Sequence, residues 1–281
     1  MERKRERTII QKVQGKKTTD GAGVHLTRVL SKDTTQAFDP FLMLDSFDSR
    51  NPADYIAGFP THPHRGIETI TYLIEGRIDH RDSLGNAGVI LSGQSQWMTA
   101  GSGILHQEMP QPSERMLGTQ LWLNLPAKDK MTAPHYFDIT QDMIGLASEA
   151  GATIRVIAGE YKGVKGVTPP YIQATYYDVE LAEGASIRLD TKKEETVFIF
   201  LIEGAGLVAG ELIPEKTAAL FGEGDYLNVA APQDQKLRFL FHSAKPLGES
   251  ISWGGPIVMN TREELQQAFA DLEAGTFLAH K

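Results

Sequence analysis

The sequence predicts an all-β fold closed by one short C-terminal helix, and three observations carry that prediction. Segments rich in Val, Ile, Thr, Tyr and Phe recur throughout the chain, with glycine, proline or aspartate turns at intervals of about eight to twelve residues. That rhythm belongs to a sandwich or barrel and not to strands alternating with helices. Helical spacing is clear only near the C-terminus. The similarity of Tyr72-Leu73-Ile74-Glu75-Gly76 to Phe200-Leu201-Ile202-Glu203-Gly204 points to an internal duplication, so two β-barrels from one ancestral unit are expected.

Composition narrows the function classes. A chain of 281 residues can bury a core without a disulfide or a structural metal, so a metal here would serve function. The chain has no cysteine, which removes disulfides, thiolate zinc sites and cysteine nucleophiles, and leaves His, Asp and Glu as metal ligands. With 28 Lys and Arg against 36 Asp and Glu, the net charge of −8 offers no general attraction to nucleic acid. The charged start, Met1-Glu2-Arg3-Lys4-Arg5-Glu6-Arg7, leads into no apolar segment and reads as a solvated tail and not a secretory signal. No window approaches a membrane helix, so a cytoplasmic protein with no membrane contact is expected.

Taken in order, Thr8-Ile9-Ile10 and Val24 to Val29 read as short strands around a polar turn from Lys17 to Gly21, with His25 on a polar face. Phe38 to Phe47 is dense in apolar residues and interrupted by Pro40, which suggests a buried edge or crossover. Asn51-Pro52, Gly58 and Pro60 mark a loop that feeds into His62. Strands follow at Glu68 to Gly76, Ile78 to Arg81, Val89 to Leu91, Gln96 to Thr99, Ile104 to Glu108 and Gly118 to Leu125. The lysine-rich stretch Ala127-Lys128-Asp129-Lys130 is taken as the exit of a first domain spanning 1–134. The second domain, 135–281, repeats the theme at Thr153 to Ala158, Tyr171 to Leu181, Ser186 to Leu189, Thr196 to Ile202, Gly206 to Val208, Ala218 to Phe221, Tyr226 to Ala230 and Leu237 to His242. Its Glu194-Glu195 reads as surface charge. In the tail, Thr261 and Glu264 form a capping box, Leu265, Ala268, Phe269 and Leu272 make an apolar stripe, and Gly275 can close the helix.

The chemistry concentrates between His62 and Glu108. In an extended chain residues i and i+2 share a face, so His62-Pro63-His64 and His106-Gln107-Glu108 each present two ligand-type side chains together. On neighbouring strands the two pairs would place three imidazoles and a carboxylate about one point, a donor set for Fe, Mn, Ni, Cu or Zn. Glu68, four positions from His64, is a competing carboxylate on what reads as the same strand and face. Between Gly151 and Gly255 the second domain holds a single histidine, His242, and cannot build such a site. His80 reads as a turn or rim residue, and His135 and His280 as surface residues.

Two long motifs tie this chain to a family. Gly58-Phe59-Pro60 running into His62-Pro63-His64-Arg65-Gly66-Ile67-Glu68-Thr69, and Gln96 through Gly101-Ser102-Gly103-Ile104-Leu105-His106-Gln107-Glu108-Met109-Pro110, closely resemble the pirin family of the cupin superfamily. Asp39-Pro40-Phe41-Leu42 and Gly255-Pro256-Ile257-Val258-Met259-Asn260 extend the resemblance over nearly the whole chain. It implies two stacked cupin-type β-barrels (a bicupin), with one Fe(II) in the N-terminal barrel held by His62, His64, His106 and Glu108, and Glu68 in a supporting role. The activity implied is that of a metal-dependent quercetin 2,3-dioxygenase, an oxidoreductase that takes a small aromatic substrate and dioxygen, with Glu108 doubling as the catalytic base for the flavonol 3-hydroxyl. The family's alternative is a non-catalytic, iron-dependent regulatory protein that acts through a protein partner.

Overall fold

Strand-forming segments pair into two copies of one arrangement, a seven-stranded antiparallel sheet accompanied by a four-stranded one, in a computed structural model that describes residues 4–280. In the first unit the larger sheet runs His135–Ile139, Gln94–Thr99, Ile67–Glu75, Met116–Asn124, Phe41–Ser49, Val24–Leu30, Lys16–Asp20. The smaller runs Phe59–His64, Ile104–Pro110, Arg77–Asp82, Ala87–Leu91. Leu73, Phe47, Val24 and Met116 of the larger sheet pack with Ile78 and Ile90 of the smaller, which closes the pair around one apolar core.

The second unit repeats this order with Ile9–Gln14, Thr217–Phe221, Thr196–Glu203, Leu237–Ala244, Thr175–Leu181, Ala152–Ala158, Gly145–Glu149 and, in its smaller sheet, Ser186–Asp190, Tyr226–Ala230, Gly206–Val208, Glu211–Ile213. The matched strand orders agree with the duplication read from the two pentapeptides. On the second unit's counterparts of the histidine strands the inward positions carry Ile187, Leu189, Leu227 and Val229, all buried in its apolar core, while Arg188, Asp190 and Asn228 face outward.

The units are not divided at residue 134 as expected. The N-terminal stretch through Gly15, Ala37–Pro40 and Asp142–Pro246 form one, while Lys16–Gln36, Phe41–Gln141 and the stretch from Leu247 onward form the other. Strand pairing explains the exchange of ends. Ile9–Gln14 hydrogen-bonds to Thr217–Phe221 and so completes the second unit's sheet. The hairpin Ser252–Gly254/Ile257–Met259 and the helix Arg262–Glu273 join the first unit, where Arg65 bridges Ile257. The helix starts at the expected capping box, with Thr261 accepting from the Glu264 amide, and Gly275 follows it at φ +71°. At 12 residues it is too short to cross a membrane.

Local departures have local causes. Lys16–Asp20 is a strand, and the turn falls at Gly21–Gly23, where both glycines take positive φ. Phe41–Ser49 is an interior strand, because Pro40 precedes it and removes no donor from the ladder. His135–Ile139 and Gly145–Glu149 are edge strands that sequence reading missed, and the strand expected from Tyr171 begins at Thr175. The charged start is no solvated tail where it is described: Arg7 is buried and donates to Thr191 Oγ1 and to the carbonyls of Gly222 and Lys192, while Met1–Arg3 lie outside the described residues. Glu195 is likewise buried, accepting from Ser243 at 2.7 Å and Lys192 at 2.9 Å.

His242 is fully buried beside Tyr176 and Phe198, and burial pushes its pKa down to about 3. An unfolded chain takes up this proton below about pH 6.5 and the folded one does not, so stability is complete above that pH and is lost on acidification at about 1.4 kcal/mol per pH unit. Between pH 6.5 and 4.5, His242→Leu should therefore lose roughly 2–3 kcal/mol less than the parent protein, read from urea midpoints.

Candidate metal centre

The strands Phe59–His64 and Ile104–Pro110 pair antiparallel with His106 opposite His62 and Ile104 opposite His64. Along Ile104–Pro110 the even positions are buried, so His106 and Glu108 share the inner face as the i, i+2 spacing predicts. The three imidazoles converge. His62 Nε2 lies 3.0 Å from His64 Nε2 and 3.0 Å from His106 Nε2, and among the described residues these three form the one group of potential ligands within 4.8 Å of one another.

The outer nitrogens decide what the inner ones can do. His62 Nδ1 lies 2.9 Å from the Pro60 carbonyl and His64 Nδ1 lies 3.1 Å from that of Pro256. A carbonyl only accepts, so each Nδ1 carries the proton and each Nε2 keeps a lone pair. Burial, followed by the charges of the neighbouring imidazoles, holds His64 and His106 well below the usual histidine range, which keeps them neutral. Lone pairs facing one another at 3.0 Å repel unless a cation sits among them. The spacing also fits: two nitrogens about 2.1 Å from an ion and at right angles to each other lie about 3.0 Å apart, against about 3.4 Å in a tetrahedron.

Glu108, on the same inner face as His106, falls outside that group of three, and both its carboxylate oxygens are held. Thr71 Oγ1 donates to Oε1 at 2.8 Å and Gln120 Nε2 to Oε2 at 2.6 Å. These two donors belong to a polar row that crosses the larger sheet in register: Arg28, Asp45, Gln120, Thr71, Gln96 and Asp138 on six successive strands. Sequence reading missed the row, although the inward parity of each residue on its strand was the available signal.

Glu68 does not take the supporting role expected of it. His64 ends one strand and Glu68 lies on the next, because Gly66, at φ +78°, turns the chain between them. A Cβ on Gly66 would fall 2.0 Å from the Val258 carbonyl, so only glycine fits. Thr71 faces Glu108, and the alternation of a strand then points Glu68 to the opposite face, where it accepts from Thr99 at 2.8 Å. Glu108→Gln is expected to weaken metal binding several-fold or more, whereas Glu68→Gln should leave it within about twofold, by metal titration of the apoprotein.

His80 is also corrected. It is buried and opposite Glu108 on the adjacent strand, within 2.7 Å of Gln96 Nε2, with its ring edge-on to Tyr136. Gly88 leaves the room it occupies, since a Cβ there would sit 2.6 Å from its Nε2. Lys130, in the stretch taken as the first domain's exit, is buried and donates to Gly66 O, Asn124 Oδ1 and Val258 O, and burial lowers its pKa to about 8. His25, His135 and His280 are exposed as expected.

In front of His62 and His64 opens a cavity of about 850 Å³, walled by Trp122, Trp253, Phe59 and Met43 and edged by Asp20, Arg28, Lys32 and Asp45. The indoles of Trp122 and Trp253 lie 5.8 Å apart, and Trp122 meets His64 edge-on at 5.0 Å.

Paired antiparallel sheets in duplicate, with a three-histidine centre inside one copy only, define a bicupin. Residues 23–123 match the family described as Pirin, and residues 176–278 the one described as Pirin C-terminal cupin domain. The chain belongs to the pirin family. A pirin-like protein of Caulobacter vibrioides is 43% identical over 275 residues, covering 96% of this chain and 99% of that one. A Pseudomonas aeruginosa protein, provisionally named quercetin 2,3-dioxygenase, is 42% identical over 282 residues, covering 96% and 98%. The crystal structure of quercetin 2,3-dioxygenase from Acinetobacter baumannii superposes with a TM-score of 0.89 at 33% identity, covering 97% and 99%.

Proposed function

We propose that this protein is an Fe(II)-dependent dioxygenase able to cleave flavonols such as quercetin. The observation that carries the reading is the meeting of three converging imidazoles with an aromatic-walled cavity that His62 and His64 line, large enough for a fused-ring substrate. The names of the Pseudomonas and Acinetobacter relatives support it. His62, His64, His106 and Glu108 would hold the ion, and Fe(II) suits this donor set, as do Mn, Ni, Cu and Zn. When bound, the ion supplies Lewis acidity and redox access to dioxygen.

The rest of the work falls to the chain. Trp122 and Trp253, packed against each other, form one apolar wall for the substrate's flat face and exclude water there. Glu108 takes the 3-hydroxyl proton on a carboxylate oxygen that Thr71 and Gln120 hold in place. Fixing that geometry in advance removes much of the entropic cost of reaction. Anaerobic mixing of iron-loaded protein with quercetin, followed by oxygen, should consume O2 and release carbon monoxide stoichiometrically. Iron-loaded protein that does neither overturns the reading and favours a regulatory role through a protein partner.

A further inference from the structure

Asp45 is the unexplained group in the cavity wall. It is 3% exposed, yet its carboxylate borders the cavity and sits opposite Gln120, whose amide holds Glu108. Arg28 clamps it with Nε 2.9 Å from Oδ1 and Nη2 2.7 Å from Oδ2, so each oxygen has one donor and can accept more. The same Nη2 also reaches Asp20 at 2.6 Å, which shares the guanidinium charge between two carboxylates. Around this corner of the cavity three carboxylates, Asp20, Asp33 and Asp45, face two cations, Arg28 and Lys32, and Lys32 lies over the Trp253 ring at 5.6 Å. The corner thus offers an acceptor fixed beside two indoles; burial pushes the Asp45 pKa up, the Arg28 hydrogen bonds and charge pull against it, and the Lys32 ammonium stands at the rim.

We propose that Asp45 is a specificity-determining residue, accepting a hydrogen bond from a hydroxyl of a planar aromatic ligand and rejecting a carboxylate at the same position. The proposal rests on reading the cavity as the seat of a small aromatic. The chemistry follows from elementary terms. A hydroxyl donating to a fixed carboxylate makes a charge-assisted bond in a largely water-excluded wall, whereas a ligand carboxylate would meet like charge there.

The test reads binding and not turnover. Protein loaded with redox-inert Zn is titrated, by quenching of tryptophan fluorescence, with quercetin, with the flavonol that lacks outer-ring hydroxyls, and with one that carries a carboxyl there. The parent protein should bind quercetin about tenfold or more tighter than the unhydroxylated flavonol, and the carboxylated one weakest. Asp45→Asn should cut the first preference to about threefold or less and tighten the carboxylated ligand about tenfold, while the unhydroxylated flavonol stays unchanged. A uniform loss for all three would mean that the Arg28–Asp45 pair only braces the sheet, and overturns the proposal. Should the variant not fold, equal binding of the three by the parent protein overturns it alone. Binding of none of them overturns the reading of the cavity together with the role of Asp45.

Discussion

Replacing Arg65 with leucine is expected to cost about 3–5 kcal/mol of stability and to weaken metal binding, although Arg65 is no ligand. Its guanidinium is buried with Nε 2.7 Å from Ser102 O, Nη1 2.7 Å from Asp271 and Nη2 2.9 Å from Phe277 O, and it lies 4.2 Å over the Phe277 ring. Its hydrogen bond holds the Asp271 carboxyl below the usual carboxylate range. Leucine would leave these acceptors without their donor and free the C-terminal segment. That segment also supplies the Pro256 carbonyl that fixes the His64 tautomer, so the loss should reach the metal. Urea midpoints and zinc titration of the same variant check both halves. A variant with lower stability and unchanged metal affinity would separate Arg65 from the site. Arg65→Lys should recover part of the stability, because an ammonium keeps the charge but not the three-way fork.

His106→Ala is expected to abolish stoichiometric metal binding, a larger effect than the roughly 10–100-fold cost typical of losing an outer hydrogen bond to a ligand. His106 is the sole imidazole contributed by its strand, and the other two come from a single dipeptide repeat on the neighbouring strand. Without it only His62, His64 and the carboxylate of Glu108 would remain, and Glu108 lies outside the imidazole group with both oxygens engaged by Thr71 and Gln120. Metal content after dialysis measures the result. The fold should persist, since His106 carries little of the apolar core, and an unchanged urea midpoint for the apoprotein would show it. Retention of one ion per chain would mean that Glu108 and the remaining histidines suffice, and would revise the donor set.

The parts of the site that lie on one strand were readable from sequence, because alternation alone puts His62 with His64 and His106 with Glu108. Glu68 misled for a related reason. Counting by twos holds only while the chain stays extended, and Gly66 breaks the count between His64 and Glu68. The partners from other strands, Thr71, Gln120 and Asp45, depend on pairing register, which no single segment encodes. The exchanged chain ends were not legible either. Nothing in Ile9–Gln14 says that it completes a sheet some 200 residues away, or in Pro256 that its carbonyl will meet an imidazole. Likewise Glu195 reads as surface charge and Lys130 as part of a domain exit because their donors and acceptors are assembled only by tertiary pairing.

The row Arg28, Asp45, Gln120, Thr71, Gln96, Asp138 has a consequence for how this chain can change by insertion and deletion. A side chain on a strand changes face with a shift of one residue, so each of the six strands is locked in phase with its neighbours by polar groups as well as by its apolar face. Losing a single residue within any of these strands would turn its polar row residue to the other face and put a neighbour in its place. The loops between them bear no such constraint. Length variation should therefore be confined to stretches such as Ser83–Asn86, and a one-residue deletion inside Met116–Asn124 should prove far more damaging than most point substitutions there.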